Sequence, residues 1–242
     1  MIWDIATAAV RHELKGHRGV VTGVAYSPNG RQLASAGADG AVRLWDPSTG
    51  QEARTIAGKG TPLSGVAYSP EGHVVAAAGA DPTVRLWDTA TGEQVHALRG
   101  HEAAVSCVVF SPDGKRLASA DLKREVRLWD VRTGQEDTPP HEPIHLGGSN
   151  PAEQRKPWDR PRPLVPRIAF SADGRRLASI NGPQPVQLWD VGTRLPALTL
   201  PVQSSFQCLA FSRDGRWLVA GAGAWLLVWD AGVSRQIDKV TR

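Results

Sequence analysis

The sequence predicts an all-β fold of repeated four-stranded antiparallel sheets stacked radially, and three observations carry that prediction. The first is a beat: Trp3-Asp4, Trp45-Asp46, Trp87-Asp88 and Trp129-Asp130 lie 42 residues apart, and Trp189-Asp190 and Trp229-Asp230 follow after 60 and 40. Self-similarity at such a period marks a repeat architecture. The second is a set of short apolar runs rich in β-branched residues, such as Val21–Tyr26 and Val105–Phe110, which read as strands. The third is turn chemistry in register with the beat: Ser27-Pro28-Asn29-Gly30, Ser69-Pro70-Glu71-Gly72, Ser111-Pro112-Asp113-Gly114, Ser171-Ala172-Asp173-Gly174 and Ser212-Arg213-Asp214-Gly215. Proline presets φ early in such a turn, and glycine accepts positive φ at its end.

Each unit then continues with a second strand (Gln32–Ala36 in the first), a tight turn through Ala38-Asp39-Gly40 and a third strand ending at the Trp. Asp-Gly suits a short hairpin connection. A Thr-Gly loop follows the Trp-Asp pair (Thr49-Gly50, Thr91-Gly92, Thr133-Gly134), and a short fourth strand such as Ala53–Ile56 closes the unit. Radial stacking of such sheets buries both faces and leaves only short edges. The expected organisation is a partial unit over 1–15, then repeats over about 16–57, 58–99, 100–148, 164–199 and 200–242. Residues 131–163 carry 18 more residues than the period allows, and the stretch around 136–163 is polar and rich in proline. It is expected to be an exposed, extended loop. The last unit carries its own outer strand over 234–240.

Bulk properties exclude several classes. A net charge of +4 is too mild and too scattered to argue for nucleic acid. Within the insert, Arg155, Lys156, Arg160 and Arg162 flank Trp158, but Glu153 and Asp159 dilute the charge and one Trp makes a thin stacking platform. Nothing at the N-terminus resembles a signal peptide, and no stretch approaches 18 apolar residues. The two cysteines, Cys107 and Cys208, occupy the same repeat position and are expected to be buried, reduced thiols, which suits the cytoplasm. The seven His do not fall at metal-binding spacing, and no P-loop or GxGxxG opens a helix, so neither metal nor cofactor is expected.

With these residues in place, the chain resembles WD-repeat β-propellers throughout, except in the insert. The resemblance rests on Gly16-His17 and Gly100-His101, the turn carboxylates Asp39 and Asp81, and the six periodic Trp-Asp pairs. It implies a propeller of five complete blades plus a partial one, in a ring that is open or incomplete. It also implies a buried tetrad of His17, Ser35, Asp39 and Trp45. Ser, His and Asp also spell a hydrolase triad, but Ser35 lies mid-strand between Ala34 and Ala36, with no oxyanion site in reach. A structural network is therefore expected, and no catalytic residue. The second unit retains Asp81 and Trp87 but has Lys59 for His and Ala77 for Ser. The third retains His101, Ser119 and Trp129 but places Lys123 where the Asp should be. Units four and five retain less and should be less rigid.

The resemblance further implies a peptide- or protein-binding face on the side of the Gly-His loops and Asp turns. Arg18, Lys59, Glu102 and Lys123 fall there, with Trp225 near the turn of the last unit, and Trp158 is a second candidate anchor. The functional expectation is a non-enzymatic interaction scaffold. The alternatives are a piece of a longer repeat protein with a purely structural role, and a nucleic-acid-binding propeller.

Overall fold

In a computed structural model, residues 1–57, 60–137, 144–146, 167–181, 185–200, 206, 208–222, 225–230 and 236–240 are described. They form a two-stranded sheet, β1 (Ile2–Asp4) and β2 (Ala9–His12), followed by five four-stranded antiparallel sheets, each hydrogen-bonded in chain order. Blade 1 is β3 (Val21–Tyr26), β4 (Leu33–Gly37), β5 (Ala41–Trp45) and β6 (Glu52–Ala57). Blade 2 is β7 (Leu63–Tyr68), β8 (Val74–Gly79), β9 (Val84–Asp88) and β10 (Gln94–Leu98). Blade 3 is β11 (Val105–Phe110), β12 (Arg116–Asp121), β13 (Glu125–Asp130) and β14 (Ile144–His145). Blade 4 is β15 (Arg167–Phe170), β16 (Arg176–Ile180), β17 (Val186–Asp190) and β18 (Pro196–Leu200), and blade 5 is β19 (Cys208–Phe211), β20 (Trp217–Ala222), β21 (Trp225–Asp230) and β22 (Gln236–Val240). Successive blades pack face to face in chain order, and the ring is not closed.

The turn residues explain why the strands stop where they do. In blade 1, Gly30 N–H donates to Ser27 O at 2.9 Å, and Gln32 N–H donates to Ser27 Oγ at 2.9 Å. The same pair of bonds recurs from Gly114 and Arg116 to Ser111, and from Gly174 and Arg176 to Ser171. Where the following turn is described, the Asp of the Trp-Asp pair caps it: Asp88 Oδ1 accepts Ala90 N–H at 2.8 Å and Thr91 N–H at 2.7 Å, and Asp130 and Asp190 accept Thr133 and Thr193 N–H at 2.7 Å. The repeated acid is thus a turn-former, and in the five complete blades the Trp beside it belongs to the core.

That core lies between blades. Ala34, Ala36, Val42, Leu44 and Ile56 of blade 1 pack against Leu63, Tyr68, Val75, Ala77 and Trp87 of blade 2. The equivalent residues repeat at the next interface, where Ala76, Ala78, Val84 and Leu86 meet Val105, Val108, Leu117 and Trp129. Each sheet therefore presents small inner-strand residues to the blade that follows and larger residues plus the Trp to the blade before.

Side-chain latches span the outer rim. His12 Nε2 donates to Ser48 O at 2.9 Å, and Arg54 donates to the carbonyls of Ala90 and Thr91 at 2.7 Å each. These side chains lie over Gly50 (φ +73°) and Gly92 (φ +77°), and His96 lies over Gly134 (φ +67°) in the same way. A Cβ on Gly134 would sit 2.5 Å from His96 Nδ1, so glycine is required both by φ and by the neighbouring blade. In blade 4 the position holds Arg194 at φ +58°.

Two expectations need correction. The stretch read as an exposed loop contains β14, which pairs with β13 and buries Ile144 and Leu146 against blade 4. An apolar pair with a free edge to join outweighs the surrounding prolines. Both cysteines are free as expected, but only Cys107 is substantially covered, with burial pushing its thiol up; Cys208 is exposed. Its side of β19 has no following blade against it.

Candidate interaction face and the networks beneath it

Blade 1 assembles the expected tetrad. Trp45 Nε1–H donates to Ser35 Oγ at 2.8 Å, Ser35 Oγ lies 2.7 Å from His17 Nε2, and His17 Nδ1 lies 3.0 Å from both oxygens of Asp39. One proton assignment satisfies every atom: indole to hydroxyl, hydroxyl to Nε2, and Nδ1–H to carboxylate. Asp39 also accepts the amides of Arg18 at 2.9 Å and Ala41 at 3.3 Å. Burial alone would push this carboxyl up, but the Arg18 amide, the His17 ring and the Ala41 amide together hold it down at about 2. Ser35 is 4% exposed, and its hydroxyl is engaged by both Trp45 and His17.

Blade 3 assembles the same network by a route that alignment on the Trp misses. Trp129 Nε1–H donates to Ser119 Oγ at 2.8 Å, and His101 Nε2 lies 2.6 Å from that oxygen. The carboxylate comes from Asp121, 2.9 Å from His101 Nδ1, and not from the position of Lys123. Asp121 pairs in register with Val105 as Gly37 pairs with Val21, so it occupies the glycine position at the end of the second strand. Its other oxygen accepts the amides of Lys123 at 2.9 Å and Glu125 at 3.0 Å, and these bonds with His101 outweigh burial and keep its pKa below the ordinary value. Arg124 takes the positive-φ position of that turn (φ +71°), where blade 1 has Gly40. The only sequence signal for Asp121 was an acid beside a turn, two residues early.

Donor atoms of His101, Asp121 and Glu125 lie within 4.8 Å of one another, a spacing that suits a metal ion. Both ring nitrogens of His101 are already engaged, its side chain and that of Asp121 are fully buried, and Glu125 faces Arg127 at 3.4 Å. The cluster is a hydrogen-bond network.

In blade 2, Asp81 forms an ion pair with the buried Arg85 and accepts the Thr83 amide at 2.9 Å; Trp87 is buried beside Ala77 with no Ser at its strand position. Blade 4 keeps the Trp189 bond to Ser179 at 2.8 Å. There Asn181 stands at the Asp121 position, buried, donating weakly to Leu146 O at 3.5 Å, while its Oδ1 has no partner among the described residues.

Around these networks lie the surface candidates. Arg18 is exposed, its amide tied to Asp39. Glu102 and Lys123 pair at 2.7 Å with exposed side chains, on the loop and turn that flank the blade 3 network. The pairing lowers the Glu102 carboxyl and raises the Lys123 ammonium. Trp225 opens β21 in register with Ala222, and only its backbone is among the described residues. Lys59 and Trp158 lie outside the described residues. No helix of the described residues is long and apolar enough to cross a membrane.

A family model described as "WD domain, G-beta repeat" matches residues 9–46, 50–88, 92–130 and 196–230, more than half of the chain. The chain belongs to the WD-repeat family. Domains of this family generally bind proteins. The chain is similar to WD repeat and SOCS box-containing protein 1 of Danio rerio, at 36% identity over 84 residues, 35% of this chain and 17% of the relative. The Homo sapiens protein of that name is 35% identical over 83 residues, 34% of this chain and 17% of the relative. Coronin-7 of Mus musculus is 46% identical over 43 residues, 18% of this chain and 5% of the relative. The aligned segments thus span a small part of these curated relatives.

Proposed function

We propose that the chain is a non-catalytic, cytoplasmic scaffold that receives a protein or peptide on the end of its blades where the Gly-His loops and second-strand turns meet. The observation that supports this most directly is the burial of the polar networks just beneath that end. Ser35 and Ser119 are 4% and 0% exposed with their hydroxyls engaged by Trp and His, which supports a role for the Ser-His-Asp sets in holding loops in place. What they hold outward is charge: Arg18 beside Asp39, and the Glu102–Lys123 pair beside Asp121. Rigid loops lose little entropy on binding, which favours recognition by such a face. Trp225 and Trp158 are the proposed aromatic anchors.

Peptides selected on the purified chain from a random display library provide the test. Arg18→Glu, the double swap Glu102→Lys with Lys123→Glu, and Trp225→Ala should each weaken a selected peptide about tenfold or more without lowering the melting temperature. Peptide binding indifferent to all three would overturn the assignment of this face.

A further inference from the structure

Blades 4 and 5 hold between them a cavity of about 490 Å³, at the strand ends opposite the Gly-His loops. Leu188, Leu198 and Leu200 form one wall, and Leu218 and Trp229 the other. Folded chains leave few voids of this size, and two positions of the repeat account for this one. The first lies in the turn after the first strand. A Cβ on Gly72, Gly114 or Gly174 would lie 3.4, 3.6 or 3.5 Å from the Cδ of Pro28, Pro70 or Pro112, so each proline ring covers the next blade's turn. Blade 4 has Ala172 there, set over Gly215, and the rest of the ring is missing. The second position lies on the fourth strand. Arg54 and His96, paired with Leu44 and Leu86, reach across to the following blade. The residue paired with Leu188 is Leu198, which lines the cavity instead. Both changes fall at this junction, and together they turn a filled seam into a pocket.

The mouth of the pocket is acidic. Asp173, Asp214 and Asp230 line it against one cation, Arg176, which pairs in register with Asp190. Arg216 lies 3.8 Å from Asp230 and over the Trp217 ring at 4.9 Å. Asp173 accepts the Ser171 hydroxyl at 2.6 Å and the Arg175 amide at 3.0 Å. Asp214 accepts the Ser212 hydroxyl at 2.5 Å and the Arg216 amide at 3.0 Å. These bonds, the serine hydroxyl foremost, hold both carboxyls below their ordinary range, so both are charged at neutral pH. All four fall on Oδ1, which leaves Oδ2 of each aspartate to accept from a ligand.

We propose that this pocket binds a small amphipathic cation. Its aliphatic or aromatic body lies between the leucines and Trp229, and its ammonium group donates to Asp173 and Asp214 at the mouth. Concave, mostly apolar sites with a few convergent polar groups are where small ligands bind. The carboxylates decide the sign of the ligand's charge, and the apolar walls decide that it is not a bare ion. The pocket opens on the opposite end of the blades from the peptide-binding face, so the two readings stand or fall independently.

The probe is 4-phenylbutylamine, with 4-phenylbutanol and 4-phenylbutyrate as neutral and anionic compounds of the same body. Calorimetric titration of the full chain should show saturable binding of the amine, about tenfold weaker binding of the alcohol, and none of the acid. Asp173→Asn with Asp214→Asn should bring the amine down to the level of the alcohol. Asparagine keeps the turn, since Asn29 accepts the Ser27 hydroxyl at 2.9 Å and the Arg31 amide at 3.0 Å in blade 1. Ala172→Pro with Leu198→Arg restores the residue types of the earlier blades, and should abolish binding of amine and alcohol alike while the chain melts no lower. The proposal is overturned if the amine does not bind saturably, if the alcohol or the acid binds as well as the amine, or if the filled variant binds the amine undiminished. Asparagine variants that keep the full preference for the amine would overturn it as well.

Discussion

Asp121 holds His101 Nδ1 at 2.9 Å from the last position of a strand, whereas Asp39 reaches His17 from the turn two residues further on. Both acids arrive at the same ring nitrogen because the end of the second strand and the tip of the following turn flank one imidazole. In blade 1 the strand-end position is Gly37, where a Cβ would lie 2.6 Å from His17 Nδ1 and 2.7 Å from Asp39 Oδ1. In blade 3 the acid stands where blade 1 has that glycine, Lys123 stands where blade 1 has Asp39, and the network survives.

Removing Asp121 should therefore be costly. It is fully buried and bonds to one imidazole and two amides, so Asp121→Ala leaves several buried donors unpaired, on the order of 3 kcal/mol. A fall in Tm of roughly 6–12 °C is expected for a chain of this size. Asp39→Ala, at a more exposed site, should cost about half as much. Lys123→Ala removes only an exposed ion pair and should leave the melting temperature essentially unchanged. Thermal melts of the three variants decide the matter; a Lys123 effect as large as that of Asp121 would be incompatible with this geometry.

How much of this was legible in the sequence follows from the same comparison. Strand order and blade count could be read because Ser27, Ser111 and Ser171 cap their turns within five residues, a local device visible in any single chain. Asp121 could not, because aligning on Trp129 fixes distance along the chain, while hydrogen bonding to His101 needs only distance in space. The strand at Ile144–His145 was hidden because two apolar residues among prolines carry no period of their own; their partner β13 selects them. Exposure of Cys208 and Val24 has no local signal at all, since it depends on which blade stands next.

Acid should loosen blade 1 within a defined window. Asp39 is held at about 2 against an ordinary 3.8, so its folded-state pKa is depressed. Such a group contributes stability above the unfolded value and loses it as pH falls through the folded one. The loss should run from about pH 4 down to about pH 2, and screening at this partly exposed site limits it to roughly 1–2 kcal/mol. Urea unfolding of the chain and of Asp39→Asn across pH 7 to 2 should converge at the acid end, and parallel curves would refute the linkage.

The serine series should grade with the number of bonds lost. Ser119→Ala strips partners from both Trp129 and His101, about 2–3 kcal/mol, while Ser179→Ala strips one from Trp189, about 1 kcal/mol. Ser35→Ala should fall near Ser119→Ala. Hydrogen exchange in the affected blades would separate local loosening from global unfolding.

Gly134→Ala should cost more than positive φ alone, because the new methyl would meet the His96 ring. Pairing it with His96→Ala should recover the steric part and leave about 1 kcal/mol of backbone strain. Strict additivity in that double-mutant cycle would show that the two blades do not touch at this point.

His12, Arg54 and His96 give the array a direction. From the first sheet to blade 3, a hook on the fourth strand lies over a bare glycine on the next blade's third-strand turn, Gly50, Gly92 or Gly134, and all three hooks point toward the C-terminus. Like couplings on railway carriages, these parts join head to tail and in no other sense. A blade inserted backwards within this run would find hook against hook.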